Sequence, residues 1–223
     1  MMNEQNEETA VPMIVRFMRW FFRLLYHPFA WTYDMVAATV SLGRWTRWVH
    51  SAASLLQGPQ VLELGFGPGH LQAHLLKEGW DVVGLDESMQ MARQAAGRLA
   101  RGGLSPRLAR GLAQALPYPS ASFDCVAATF PTPYIIDPDT LGEIWRVLRP
   151  GGRLVVLMIA WITGESLVER AVRLVYRVTS ETPPDDWDPA QALEPYIRAG
   201  LEAQIQFTEP PGSKLLFIIA EKK

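Results

Sequence analysis

Glu63-x-Gly65-x-Gly67-x-Gly69 closes the apolar run Val61-Leu62-Glu63-Leu64 and sets an acid beside three glycines at alternate positions. Glycines spaced in this way let a ligand approach the main chain closely. Two phosphate-binding patterns compete for such a loop, and neither fits. A dinucleotide fingerprint needs its third glycine where this chain has His70, and a P-loop needs Gly-Lys-Ser/Thr, whereas Lys77 lies too far along the following segment. The acid Glu63 disfavours a pyrophosphate and suits a cationic ligand. A second acid ends the next apolar run, Val82-Val83-Gly84-Leu85-Asp86, at the usual place for a carboxylate that grips ribose hydroxyls. Together these residues describe a seat for a nucleoside with a positively charged arm.

Strands and helices must hold the two acids and the glycines in register. From Gln60 onward, short apolar runs at 61–64, 82–86, 107–110, 123–129 and 153–159 alternate with helical stretches at 71–77, 88–101 and 138–148. That alternation predicts a parallel sheet with crossover helices. Two closing runs, 203–208 and 214–220, flank Glu209-Pro210-Pro211-Gly212 and read as an antiparallel pair. Helical stretches at 11–26 and 32–56 precede the core, and others at 166–179 and 190–199 follow the fifth strand. The expectation is one α/β structural domain, with residues 1–57 as an N-terminal helical lid and 58–223 as the ligand-binding core.

Composition narrows the class. The chain is 48% hydrophobic and 20% charged, and its net charge of -2 gives no bulk reason to expect nucleic acid. Cys125 is the lone cysteine, so no internal disulfide forms; its apolar surroundings predict a buried side chain rather than a nucleophile. The acidic start (Glu4, Glu7, Glu8) does not resemble an export signal, and Arg16, Arg19 and Arg23 break the apolar stretch 13–31, which argues against a transmembrane helix. Ten aromatic residues and five arginines lie between Arg16 and Trp48, against the single acid Asp34. Such a segment suits contact with anionic lipid, or a cap over the core, and the two are compatible. A cytoplasmic protein, peripheral at the inner face of the membrane through residues 11–48, is expected.

Further stretches extend the glycine pattern. Gly111 to Pro119, followed by Ser122-Phe123-Asp124, and Glu143-Ile144-Trp145-Arg146-Val147-Leu148-Arg149-Pro150-Gly151-Gly152-Arg153-Leu154 stand in the same order after Asp86. From Gln60 to the C-terminus the chain resembles the class I S-adenosylmethionine-dependent methyltransferases. Tyr33-Asp34, Ser41, Gly43 and Trp48 extend the resemblance to the ubiquinone and menaquinone C-methyltransferases and the bacterial phospholipid N-methyltransferases. The resemblance implies a Rossmann-like α/β fold: a seven-stranded, mostly parallel sheet with an antiparallel last strand, flanked by helices.

It also implies S-adenosylmethionine as cofactor, with no metal. Gly65, Phe66, Gly67 and Gly69 would line its methionine part, and Glu63 would hold the ammonium through the loop or water. Asp86, with Glu87 beside it, would take the ribose diol. Met89 would pack on the adenine or fill the core, while the backbone of Leu112 and Ala113 would read the adenine edge. Leu112 stands where many relatives carry Asp. Thr129 and Tyr33 complete the expected cofactor contacts. Tyr33, His70 and Tyr134 are the catalytic candidates; His74, one turn beyond His70, is expected at the surface, and Asp124 is expected to brace its strand. The implied acceptor is a hydrophobic small molecule or lipid, quinol or phospholipid-like. A soluble small-molecule methyltransferase and a non-catalytic, membrane-associated cofactor-binding module are the alternatives.

Overall fold

The computed structural model describes residues 41–164 and 189–223. Seven strands, β1 (Gln60–Leu64), β2 (Asp81–Asp86), β3 (Leu108–Arg110), β4 (Phe123–Thr129), β5 (Leu148–Ile162), β6 (Leu201–Thr208) and β7 (Ser213–Lys222), form one sheet in the order β3-β2-β1-β4-β5-β7-β6. β1 pairs in parallel with β2 and β4, β2 with β3, and β4 with β5, while β7 runs antiparallel to both neighbours. The expected seven-stranded, mostly parallel sheet is therefore present. Its helices are α1 (Trp45–Ser51), α2 (His70–Lys77), α3 (Met89–Arg101), α4 (Pro138–Val147) and α5 (Pro189–Arg198).

Strand side chains alternate between the two faces. Leu62, Leu64, Val126, Leu154 and Val156 share a buried cluster with Leu141 and Ile144 of α4 and with Tyr196 of α5. Val61, Cys125, Ala127, Val155 and Leu157 join Trp48 and Val49 of α1 and Leu71 and Leu75 of α2. Cys125 is fully buried, and desolvation pushes its thiol up to about 12, so it is a packing residue. Period two also puts Glu63 on the α2 face with Val61, an acid at a core position. Strand order reverses at β1, whose neighbours β2 and β4 lead to opposite sides of the sheet. In open α/β sheets the crevice at that reversal, beyond the carboxyl ends of the strands, is where ligands bind.

Local chemistry sets the element ends. Ser88 Oγ accepts from Met91 N at 3.3 Å to start α3, and Asp137 accepts from Asp139 N and Thr140 N to start α4. The stretch read as one helix over 32–56 is interrupted within its described part. Residues 41–43 form a turn in which Leu42 (φ 51) and Gly43 (φ 77) are left-handed, and Ser41 Oγ accepts from Trp45 N at 3.0 Å. That bond starts α1 afresh, and a 3₁₀ turn, Ala52–Leu55, ends it. β5 is longer at both ends than the 153–159 run. It takes up the Gly151-Gly152 turn, and its register with β4 shifts between Phe123 and Cys125. The helices expected at 11–26 and 166–179, the lid before residue 41, and Tyr33 lie outside the described residues.

Asp124 braces the sheet as expected. It accepts from Gln60 N at 3.1 Å and from Arg149 Nη1 at 2.5 Å. Burial raises its pKa, but the Arg149 bond, the Gln60 N–H and the Arg149 charge outweigh it and leave the carboxyl below its ordinary value. A depressed carboxylate stabilises the fold above its unfolded pKa and loses that contribution as pH falls through the folded value. Asp124→Asn should therefore destabilise the protein by about 1 kcal/mol at pH 7. In urea unfolding the difference should shrink as the pH is lowered below the ordinary carboxylate range.

Candidate functional site

The loop after β1 lies at the sheet's reversal. Gly65 N donates to Leu85 O at 2.8 Å, and Gly67 N donates to Asp86 Oδ2 at 2.9 Å. Asp86 Oδ1 accepts from Ser88 N at 2.8 Å, so one carboxylate joins the β1 loop to the start of α3. From behind, Arg98 Nε donates to Pro68 O at 2.7 Å, and a Cβ on Gly69 would meet Ala95 Cβ at 2.9 Å. Gly69 therefore serves the close approach of α3, whereas Gly65 and Gly67 line open space above the sheet beneath Tyr134.

That space is a cavity of about 900 Å³. At one end lie Asp86, Glu87, Met89, Leu112 and Ala113; at the other lie Thr129, Phe130, Thr132 and Tyr134. Met89 is 44% and Leu112 54% exposed, two apolar side chains left open at the same end. Tyr134 belongs to a 3₁₀ turn, Pro133–Ile136, and its Oη would lie 2.7 Å from a Cβ on Gly65. Gly65, with φ +64, thus provides both the turn and the room for that phenol. A smaller cavity of about 30 Å³ lies on the far side of the loop, lined by Glu63, Phe66, His70, Thr129 and Trp45 among others. The Phe66 ring is buried beneath Gly84, so this residue offers a ligand its backbone rather than its ring.

Glu63 is the electrostatic centre of the loop. It is 1% exposed, and its Oε2 has no hydrogen-bond partner among the described residues; nor do the amide atoms of the neighbouring Gln72 side chain. Desolvation raises its pKa to about 8, with Gln72 opposing and the Asp86 charge adding to the rise. Asp86 is also raised, chiefly by burial, with the Ser88 and Gly67 N–H groups opposing. A buried carboxyl with one oxygen unpartnered, a second carboxylate lining the large cavity and two exposed apolar side chains on the same lining fit a nucleoside carrying an ammonium arm. These are the groups S-adenosylmethionine would need.

The remaining candidates divide. His70 opens α2 and lines the small cavity. His74 lines neither cavity; its ring stacks on His50 at 4.1 Å, and its Nε2 lies 3.3 Å from Glu78 Oε1. Among the described residues no group of three His, Cys, Asp or Glu side chains is placed to hold a metal. Sequence reasoning missed Trp45, and it missed the clamp on the loop 111–119. Arg146 donates to Tyr118 O and Leu116 O and pairs with Glu143, which accepts from Leu116 N at 2.7 Å. The spacing Glu143-x-x-Arg146 was the available signal, since it aligns both side chains on one helix face.

The raised Glu63 pKa yields a sign. A buried acid whose folded pKa exceeds its unfolded one costs stability progressively as pH rises from about 4.5 to about 8. Glu63→Gln removes that cost. Relative to the native protein it should gain on the order of 4 kcal/mol between pH 5 and pH 8.5, read from urea unfolding at the two pH values.

Comparison with known proteins agrees with this geometry. Residues 61–152 match the methyltransferase domain family. A demethylmenaquinone methyltransferase of Thermus thermophilus is 39% identical over 132 residues, covering 56% of this chain and 60% of that protein. A ubiquinone/menaquinone biosynthesis C-methyltransferase of Edwardsiella ictaluri is 32% identical over 142 residues, covering 60% of this chain and 57% of that protein. The matched stretch thus spans less than two thirds of either relative. In fold, a SAM-dependent methyltransferase of Thermotoga maritima superposes with a TM-score of 0.52 at 20% identity, over 95% of this chain and 98% of that one. Residues 61–152 thus match the methyltransferase domain family, and they lie in a sheet with the fold of a SAM-dependent methyltransferase.

Proposed function

We propose that this chain transfers a methyl group from S-adenosylmethionine to a hydrophobic acceptor, with a quinol ring as the first candidate. The observation that carries the cofactor reading is the pair of carboxylates, Glu63 and Asp86, at the ends of adjacent strands on either side of a bare glycine loop. The names of the curated relatives support the quinol. When bound, the cofactor supplies a methyl on a sulfonium, so an acceptor carbon, nitrogen or oxygen gains that methyl and gives up one proton.

The protein's part is binding, alignment and exclusion of water. Glu63 gives an ammonium its counter-charge, and Asp86 offers its remaining lone pairs to a diol. Met89 and Leu112 provide apolar faces for a flat base. Tyr134 Oη, held over Gly65, is the titratable group that the described residues bring nearest the glycine loop at the acceptor end. It is the atom at which an acceptor hydroxyl would be oriented and its proton held. Asp86→Ala removes both the diol acceptor and the tie on Gly67. By calorimetry it should weaken S-adenosylmethionine binding at least about tenfold. Native protein that shows no heat with the cofactor would refute the assignment.

The membrane half of the reading rests on the sequence of residues 11–48, with arginines set among Trp and Phe. Among the described residues no helix is long and apolar enough to cross a membrane. We place the protein peripherally, with this segment as its contact and as a cover for a lipophilic acceptor. Co-sedimentation with vesicles rich in anionic lipid should be strong for the full chain and be lost when the first thirty residues are removed. Equal soluble fractions for the two proteins would sink this part.

A further inference from the structure

Three non-glycine residues among those described have positive φ: Leu42, Ala121 and Phe130. Phe130, at φ 49, is the one that lines the large cavity. A bulky residue in the left-handed region is strained and persists only where its surroundings over-determine it. Here they do. Phe130 N donates to Leu157 O at 2.7 Å, continuing the β4–β5 ladder past the last strand residue. Its ring stacks on Trp45 at 4.3 Å and 25°, with Trp48 at 6.4 Å behind. Trp48 is itself fixed, since its Nε1 donates to Ser213 Oγ on β7 at 2.8 Å. Four residues after this turn, Tyr134 Oη would lie 2.7 Å from a Cβ on Gly65.

Phe130 lines the large cavity and Trp45 the small one, and both cavities share Gly65, Gly67 and Thr129. The stacked pair therefore stands at the loop end where Glu63 and Tyr134 converge. Among the described residues, the large cavity's lining at this end, Thr129 to Thr132 with Tyr134, carries no charged side chain. Arg110, the cation among the lining residues, is bound at the other end, its Nε donating to Glu87 O. A neutral aromatic wall stacks a flat unsaturated ring well and gives a phosphate or a free amine no partner.

We propose that Phe130, set by its left-handed turn and backed by Trp45, is the specificity-determining residue that seats the flat ring of a neutral acceptor beside the glycine loop. The proposal rests on the methyltransferase reading and narrows its acceptor class. Phe130→Gly separates ring from turn, because glycine adopts positive φ without strain and the chain path over Gly65 is kept. Phe130→Tyr restores the ring, and Trp45→Leu removes its support.

Two acceptor probes are offered to each variant with labelled S-adenosylmethionine: a 1,4-naphthoquinol with a short prenyl tail, and dioleoylphosphatidylethanolamine in mixed micelles. Cofactor affinity is read separately by calorimetry. Phe130→Gly should raise the naphthoquinol KM about tenfold or more while cofactor Kd stays within about twofold, and Phe130→Tyr should recover most of the loss. Trp45→Leu should fall between, and the phospholipid should be a poor acceptor throughout. The proposal is overturned if Phe130→Gly leaves the naphthoquinol KM unchanged, if KM and cofactor affinity fail together, or if the phospholipid is the better acceptor. Native protein that binds the cofactor and labels neither probe overturns it as well. Native protein that binds no cofactor refutes the underlying methyltransferase reading instead.

Discussion

The carboxylate of Asp86 is the joint on which the site depends. One oxygen holds Gly67 of the β1 loop and the other holds Ser88 at the head of α3, so two crossover units meet at a single side chain. The main chain of the same residue accepts from Gly111 N at 3.1 Å, which ties in the segment after β3 as well. A parallel sheet leaves the carboxyl ends of its strands without a shared connection, and three loops there would otherwise move independently. Asp86 is 9% exposed and pays desolvation for this position, a cost that its two charge-assisted N–H bonds reduce without cancelling.

Much of this arrangement was legible in the residues. Apolar runs at β1, β2 and β4, each closed by Gly, Asp or Pro, have the length and spacing that only parallel strands with crossovers satisfy, and the observed strands fall on them. The two acids were visible because each ends such a run. The geometry behind them was not. Nothing in Glu63-x-Gly65 says that a glutamine from α2 comes within range of the acid without satisfying it, since Gln72 is placed by helix packing. Gly69 looked equivalent to Gly65 and Gly67, yet faces Ala95, because its role is set by how closely α3 approaches. The single long helix expected over 32–56 fails at Leu42, whose left-handed backbone no propensity predicts. Trp45 went unremarked because a tryptophan in an aromatic-rich segment carries no sign of its partner, and Phe130 lies 85 residues away along the chain.

Strain and burial are concentrated where the loops meet. Phe130 has a disfavoured backbone, Glu63 a buried carboxyl with one oxygen unpartnered and Gly65 an enforced close contact, all within the span bridged by the two cavities. The rest of the sheet obeys ordinary rules: alternating faces, capped helices, and an Arg149–Asp124 pair at the opposite strand end. Leu42 and Ala121 are left-handed as well, but neither lines the two cavities, so the departures that mark a functional end are those at Glu63, Gly65 and Phe130.

The Arg146–Glu143 clamp has a consequence for how such a protein can change. Its two side chains fasten the segment after β3 to α4 by hydrogen bonds to the main chain at Leu116 and Tyr118. The Phe130 end is held by ring contacts and one main-chain bond. The clamp grips main-chain atoms and so does not depend on the side chains of residues 112–119, whereas ring contacts depend on which residues stand at 45 and 130. On the proposed reading, a change of acceptor can therefore arise at positions 45 and 130 while Glu143 and Arg146 keep the nucleoside end in place.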